Sequence, residues 1–529
     1  MSKKNKEIEE YFNKGTRITD WISYLFLALF LGIYPVITDN KYFNITNTRY
    51  EFFMFIAVAF IILISIGYMV EGVIKKHYGY KASDCYDENI KNYAKPEFWM
   101  NAFLMANFFS YMLARGRNSE IGKHAFNGTL GRRMGFVMIL VIAISFLVIC
   151  NGIKMNMVLY MIFAVSVLYG HIVAVFQHRG NDFMGYKDGI SLKQYDIFIA
   201  TMGNINIFAS FLCICIPVFL SIFIFAKGKV YKITSAVILV LSGMVVLDSN
   251  SDSVYLGLFA VFVLLFFLAF KDGKIKNYLL SLVLMSAGVF VQVIDNKFYI
   301  KEYDKRGGFS EALDNIKISL GLLIFTLILY VICCMVEKKY AEKIKNINKK
   351  NAMIKIGVIF GVTFIAAIVI GIVLKVEYLQ FNDKWGSYRG FIWRICGQIY
   401  EDAPTVNKLF GYGNDCLKVV TKAGYMDEMI SVTGKVYDNA HNEVLQYLIT
   451  TGLMGAISYI GLFVSSFVYM LKNAKSMPLV YASLAVITGY FVQGFVNLNQ
   501  AITTPFYFVF MALGIGYIRR IKNMEGNCD

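Results

Sequence analysis

One stretch of the chain concentrates groups able to move a proton. It reads Tyr437-Asp438-Asn439-Ala440-His441-Asn442-Glu443 and leads directly into an apolar run from Val444. Asn439 fits the N-cap of the following helix, which sets His441 in its first turn. The positive end of a helix disfavours imidazolium, so a neutral ring is expected there near pH 7. A neutral imidazole can accept a proton as a general base. The free N–H groups of the same helix end suit an anionic oxygen. Asp438 or Glu443 would orient the ring. Alone, a histidine at a helix start is more often a surface residue, so the motif needs a partner.

The partner lies upstream, between Trp385 and Tyr400. Tyr388, Phe391, Ile392, Ile395 and Ile399 recur at three- and four-residue steps, as on an amphipathic helix. Arg389, Trp393 and Cys396 share another face, and Asp402-Ala403-Pro404 ends the segment. A short helix lying at the membrane surface is expected, with Arg389 presented beside an aromatic ring. The plainer reading is an interfacial helix whose Arg and Trp sit at headgroup level. Downstream, Gly411 and Gly413 permit a tight turn or a close backbone approach. Cys396 and Cys416 fall in the same interval, and two free thiols are the simpler expectation than a disulfide.

Two further polar sites open apolar runs. Asn204 and Asn206 stand at one such entrance, where capping is the commoner role and hydrogen bonding to a sugar or phosphate the alternative. Ser249-Asn250-Ser251-Asp252-Ser253 opens another, and Asp252 is favourable at a helix N-terminus whatever else it does. No H-E-x-x-H, paired-Cys or carboxylate cluster suggests a metal. No P-loop or dinucleotide fingerprint suggests a nucleotide cofactor. Any group-transfer chemistry would therefore draw on an already activated donor, with no cofactor expected.

What must position these residues is a membrane bundle. The 529 residues are 57% hydrophobic with only 6 prolines, and runs such as Ile56–Met69, Phe136–Ile149 and Leu256–Phe270 are nearly uncharged. With their flanks they approach the ~20 residues needed to cross a bilayer. The expected fold is all-α and polytopic, with about 14 spans and one large extracytoplasmic loop. The spans fall near 21–38, 51–72, 97–114, 134–150, 156–175, 203–226 and 233–248, then near 254–270, 278–294, 317–335, 355–375, 445–471, 478–495 and 503–518. The formal charge of +16 then reflects Lys-rich cytoplasmic loops, not nucleic acid. Those loops put both termini inside. The organisation is a cytoplasmic segment at 1–20, a bundle over 21–375, the outer loop at 376–444, closing spans over 445–518 and a cytoplasmic tail at 519–529. No cleavable leader is evident, because the first apolar run begins only at Trp21. One outer loop, Ala114–Arg133, breaks the charge rule with five basic residues, Arg132 and Arg133 among them. A miscounted span is the expected cause, and a cluster facing an anion is the alternative.

Taken together, Asn204–Ala209, the Gly411–Gly413 turn, Asp438–Glu443 followed by Leu448 to Gly455, and Asn497 to Phe506 resemble the O-antigen ligase and O-antigen polymerase superfamily. The resemblance covers about residues 200–515. It implies a polytopic glycosyltransferase of the bacterial cell membrane whose outer loop carries an essential arginine and histidine, here matching Arg389 and His441. The family's second arginine, after a serine at a mid-chain span, is absent from Ser249–Ser253. Arg394 or the Arg132-Arg133 pair would take over contact with a donor diphosphate. That departure favours a polymerase of capsule or exopolysaccharide repeats over a ligase.

The resemblance implies a polyprenyl-diphosphate-linked glycan as donor and an acceptor glycan hydroxyl as nucleophile. It also implies inversion at the anomeric carbon, no metal, and a flippase and chain-length regulator as partners. Asn442, Glu443 and Asp438 would then line the substrate site, and Trp393 would stack on a sugar face. The rival reading is a lipid-linked oligosaccharide flippase. Its charged groups should line the spans, whereas here polarity concentrates in one loop.

Overall fold

The computed structural model describes residues 11, 17–78, 91–153, 156–299, 307–345, 348–376 and 379–525. Much of the expected N-terminal segment, and the end of the tail, lie outside the described residues. The helices in chain order are α1 (Ile18–Gly32), α2 (Ile45–Tyr78), α3 (Pro96–Arg117), α4 (Ser119–Asn127), α5 (Phe136–Cys150), α6 (Met157–His178) and α7 (Ile205–Phe225). They continue as α8 (Lys229–Asp248), α9 (Asp252–Asp272), α10 (Ile275–Tyr299), α11 (Gly308–Leu313), α12 (Ile316–Lys345) and α13 (Lys349–Val373). Then follow α14 (Trp385–Glu401), α15 (Thr405–Phe410), α16 (Leu417–Gly424), α17 (Met426–Thr433), α18 (Glu443–Thr450), α19 (Gly452–Asn473), α20 (Pro478–Gly494) and α21 (Thr504–Glu525). A two-residue antiparallel ladder pairs β1 (Phe198–Ile199) with β2 (Gly203–Asn204) just before α7.

Among the described residues, nine helices are long and apolar enough to cross a membrane, and α1, α5 and α20 are shorter apolar helices. The chain is a polytopic membrane protein. Helix α7 is apolar around its whole circumference and its span is wholly buried, against α8, α9, α10 and α20, as an all-round apolar helix must be. The spans of α12 and α13 are equally apolar and almost entirely unburied. Lipid is the solvent that tolerates such faces.

Between α13 and α19 the chain leaves the bundle and builds a small core of its own. Phe391, Ile392, Ile395, Cys396 and Ile399 of α14 pack there on Leu417, Met429, Tyr437, Ala440 and Ile449. The expected amphipathic face of α14 is thus real, but it faces protein. The helix ends at Glu401 with Asp402 as C-cap. Cys396 sits in this core and Cys416 in a separate cluster with Ala114 and Ala125, and both are free thiols.

The basic segment 114–133 is helical over Ser119–Asn127 and packs against the protein. It packs on the same face as this loop: Arg117 bonds the Asn407 side chain, Thr129 donates its N–H and hydroxyl to Asp415, and Arg132 pairs with Asp438 at 2.8 Å. Of its five basic residues, Arg132 is ion-paired, Arg117 and Arg133 bond neutral amides, and Arg115 and Lys123 are exposed.

Candidate active site

A cavity of about 470 Å³ opens where the loop meets the bundle. Its lining brings together His441, Arg389, Tyr437 and Lys435 from the loop, Asn206 from the start of α7, Asn250, Ser251 and Asp252 from the α8–α9 turn, and Gly307-Gly308.

Arg389 is aimed into this cavity by an unusual turn. Gly386, Ser387 and Tyr388 all adopt left-handed backbone, with φ of 57°, 59° and 71°, so the regular part of α14 begins at Arg389. Two consecutive non-glycine residues in that region cost about 1–3 kcal/mol each, and such local strain is typical of functional sites. Among the described residues the guanidinium makes one bond, Nη1 to the Gly386 carbonyl at 3.3 Å, and its buried Nε has no partner. Burial pulls its pKa down, and Asp252 across the cavity works against that.

The histidine is held from several directions. His441 has φ +50°. Its N–H donates to Asn439 Oδ1 at 2.7 Å, the Ala440 N–H donates to Gln446 Oε1 at 3.0 Å, and Trp393 Nε1 donates to the Ala440 carbonyl at 2.9 Å. The N-cap of α18 is Asn442, whose Oδ1 accepts from the Leu445 N–H at 3.0 Å. This corrects the sequence expectation: two asparagines were available as caps, and the one after His441 is used. His441 therefore precedes the helix and is not in its first turn.

The ring is nevertheless neutral, for a different reason. Burial lowers its pKa to about 3, reinforced by the charges of Arg132 and Arg389 and opposed by Asp438. The buried Nδ1 has no hydrogen-bond partner among the described residues. Tyr437 stands edge-on, with ring centroids 6.0 Å apart.

A glycine pair fixes the loop to the membrane helix. Gly411 (φ +75°) and Gly452 (φ +70°) interlock: a Cβ on the first would meet the Thr450 carbonyl oxygen at 2.2 Å, and one on the second the Leu409 carbonyl carbon at 2.3 Å. The Tyr412 and Gly413 N–H groups then donate to the Ile449 and Thr450 carbonyls at 3.1 and 3.0 Å.

Residues 237–460 match the sequence model of a family described as O-Antigen ligase. The match supports the resemblance to the O-antigen ligase and polymerase superfamily. It spans Asp252, Arg389, Lys435 and His441, and leaves Asn206 outside. No curated protein matches the chain.

Within this O-antigen ligase-like protein the remaining sequence candidates divide. Asn206 lines the cavity and accepts from the Ser251 hydroxyl at 2.9 Å, whereas Asn204 caps α7 through the Asn206 N–H. Arg394 does not line the cavity: it is exposed and ion-paired with Asp383 and Glu428 at 3.0 and 2.9 Å. Arg133 turns to Asn47 and the Tyr50 ring. Trp393 does not face the cavity either. Its ring packs on Phe381 and Trp385.

Glu443 is buried in protein, accepting from Tyr459 and Tyr490 at 2.6 and 2.8 Å, and burial pushes its carboxyl up to about 7. Asp438 is occupied by Arg132, which outweighs burial and holds the carboxylate below its ordinary range.

Lys435, Tyr437, Asn250 and Gly307-Gly308 were not singled out from the sequence as ligand groups. Lys435 and Tyr437 carried a signal, being on the same short segment as His441. The glycines carried none. Gly308 (φ +60°) lies against the Asp252 carboxylate, where a Cβ would stand 2.3 Å from Oδ1, and this contact joins segments far apart in sequence.

Proposed function

We propose that the protein is a glycosyltransferase that takes a glycan from a polyprenyl diphosphate at the outer membrane face and adds it to an acceptor sugar hydroxyl, as a polysaccharide polymerase. The observation that carries this reading is the shared cavity of Arg389 and His441, each with a buried nitrogen that has no hydrogen-bond partner among the described residues. In the proposed reaction the neutral His441 imidazole takes the acceptor hydroxyl proton. The oxygen forms a bond to the anomeric carbon from the face opposite the diphosphate. The anomeric C–O bond breaks with its electron pair going to the diphosphate, so the configuration inverts.

Arg389 receives the developing charge as a fork of donors. Lys435 supplies the second cation that the α8–α9 turn lacks. It is an exposed point charge on the cavity lining. Asn206 and Asp252 offer acceptors and a donor for sugar hydroxyls. A diphosphate already leaves readily, which asks little of a general acid.

The test is transfer from purified polyprenyl-diphosphate donor to an acceptor glycan in a reconstituted bilayer. His441→Gln retains hydrogen bonding but cannot serve as the same base, so turnover should fall roughly 10²–10⁴-fold. Near-normal turnover by this variant would reduce His441 to a structural role. Donor that crosses the bilayer without any transfer would instead support a flippase.

A further inference from the structure

A second cavity, of about 270 Å³, lies on the other side of the α8–α9 turn. The turn separates the two: Asp248 lines the second cavity, and Asn250, Ser251 and Asp252 line the first. The rest of its wall comes from the end of α6 and the polar segment 179–204, which the catalytic proposal leaves unused. Lys187, Tyr195, Asp196, Phe198 and His178 face it.

This wall is preorganised. Gln177 donates to Asp182 Oδ1 at 2.9 Å and accepts from the Ala200 N–H at 2.7 Å, while Asp182 Oδ2 accepts from the Lys187 N–H at 2.6 Å. Residues 177, 182, 187 and 200 are thereby tied into one unit, closed by the β1–β2 ladder. The His178 ring stands between Asp248 Oδ1 at 3.3 Å and Asn296 Oδ1 at 2.6 Å. Lys187 is buried, with its ammonium 4.3 Å from the centroid of the Tyr195 ring.

The two cavities differ in charge. The cations Arg389 and Lys435 and the neutral His441 face the first, against the carboxylate of Asp252. Asp196 and Asp248 face the second, against Lys187 and His178. With its carboxylates set against its two basic side chains, the second wall lacks the cationic excess that a diphosphate needs. Its carboxylates suit sugar hydroxyls, which donate to them, while the apolar face of a sugar ring packs on an aromatic ring.

We propose that this second cavity is the acceptor subsite. It holds the end of a neutral or weakly cationic glycan on Tyr195, Phe198 and Asp196, and the glycan passes over the α8–α9 turn to bring its terminal hydroxyl to His441. The proposal rests on the glycosyl-transfer reading above and assigns a separate site to the second substrate.

The probe is a set of two- to four-residue oligosaccharides cut from the surface polysaccharide of the producing cell. Full-length protein in nanodiscs is measured in two ways: saturation-transfer NMR of the oligosaccharides without donor, and transfer with donor at varied oligosaccharide concentration. Tyr195→Ala and Asp196→Asn should each abolish the saturation signal and raise acceptor KM tenfold or more, with donor KM and inorganic pyrophosphate binding unchanged. Retained pyrophosphate binding also shows that the variants are folded.

An unchanged acceptor KM and saturation signal in both variants would overturn the subsite, as would a rise in donor KM instead. No saturation signal with the wild-type protein would overturn it as well. Failure of the wild-type protein to transfer at all, with oligosaccharide binding intact and sensitive to both substitutions, would instead count against the transfer reading while leaving this cavity a glycan site.

Discussion

Trp393 donates its indole N–H to the Ala440 carbonyl at 2.9 Å, and so ties the helix that carries Arg389 to the residue before His441. The two catalytic candidates come from segments about fifty positions apart, and this bond sets their separation from inside the loop. Trp393→Phe keeps an aromatic ring against Phe381 and Trp385 and removes only the donor. The net stability cost of one such bond is about 1 kcal/mol, so the variant should fold. Misplacing a catalytic pair by a fraction of an ångström is costlier to turnover than to binding. We expect kcat to fall roughly tenfold with donor KM little changed. A rise in donor KM at constant kcat would show that Trp393 binds substrate directly.

The ring of His441 makes a pH prediction. Its pKa of about 3 lies below the ordinary 6.5 because of burial first and then Arg132 and Arg389. Between those two values the unfolded chain binds a proton that the folded chain does not. The stabilising contribution is therefore complete above pH 6.5 and is lost as pH falls toward 3. In kinetics, kcat/KM for donor reports the free enzyme and should hold its plateau down to about pH 5. A bound diphosphate sets negative charge against Arg389 and Lys435 and must raise the imidazole pKa. The acid limb of kcat should accordingly lie at higher pH than that of kcat/KM. Coincident limbs near the ordinary histidine value would contradict the electrostatic account.

The membrane helices were largely legible in the sequence, because uncharged apolar runs of sufficient length admit few other structures. The apolar stripe of α14 was legible for a similar reason, since five residues at three- and four-residue steps define a face. What the stripe packs against was not. The periodicity of Phe391, Ile392, Ile395 and Ile399 is the same whether the face meets lipid or a loop core.

The choice between Arg389 and Arg394 turned on the left-handed run at 386–388, for which only Gly386 offers a sequence cue. The position of His441 is not legible in the sequence, because Asn439 and Asn442 are equally good caps and a positive φ at histidine is not signalled by its neighbours. Lys435 and Gly308 reach the cavity through long-range packing. The pairing of Arg389 with His441 came from family resemblance, and the shared cavity gives it a geometric basis.

Glu443 lies next to the cap residue and looks, in sequence, like a partner for the histidine. In the structure its carboxylate accepts from Tyr459 and Tyr490. Glu443→Gln preserves an acceptor for a phenol and should fold with modestly reduced thermal stability. Glu443→Ala removes the shared acceptor of two buried phenols, of which Tyr490 keeps Thr504 as a partner. A phenol left unsatisfied costs about 1–3 kcal/mol, so the unfolding temperature should fall clearly. The check is thermal unfolding of both variants in detergent, together with turnover of the Gln protein. If Glu443→Gln unfolds normally yet loses turnover as completely as His441→Gln, the carboxylate acts in the reaction and the structural assignment fails.

The division of labour between Arg389 and Lys435 can be separated by chemistry. Arg389 lines the cavity half-buried, with a buried Nε that has no partner among the described residues, so its guanidinium is a fixed, largely desolvated donor for a diphosphate. Lys435 is exposed, its ammonium 4.9 Å from the centroid of the Tyr437 ring, and it acts as a screened point charge. Arg389→Lys keeps the charge and loses the fork. It should weaken inorganic pyrophosphate binding and cut turnover by about 10²-fold, at low and high salt alike. Lys435→Ala should weaken pyrophosphate binding several-fold at low ionic strength, and the difference from wild type should shrink as salt rises past about 0.15 M. Calorimetric titration of pyrophosphate into each variant at two salt concentrations reads both effects. Equal salt dependence in the wild-type protein and Lys435→Ala would remove Lys435 from the site, leaving Arg389 to face the diphosphate with only the N–H and hydroxyl groups of the α8–α9 turn.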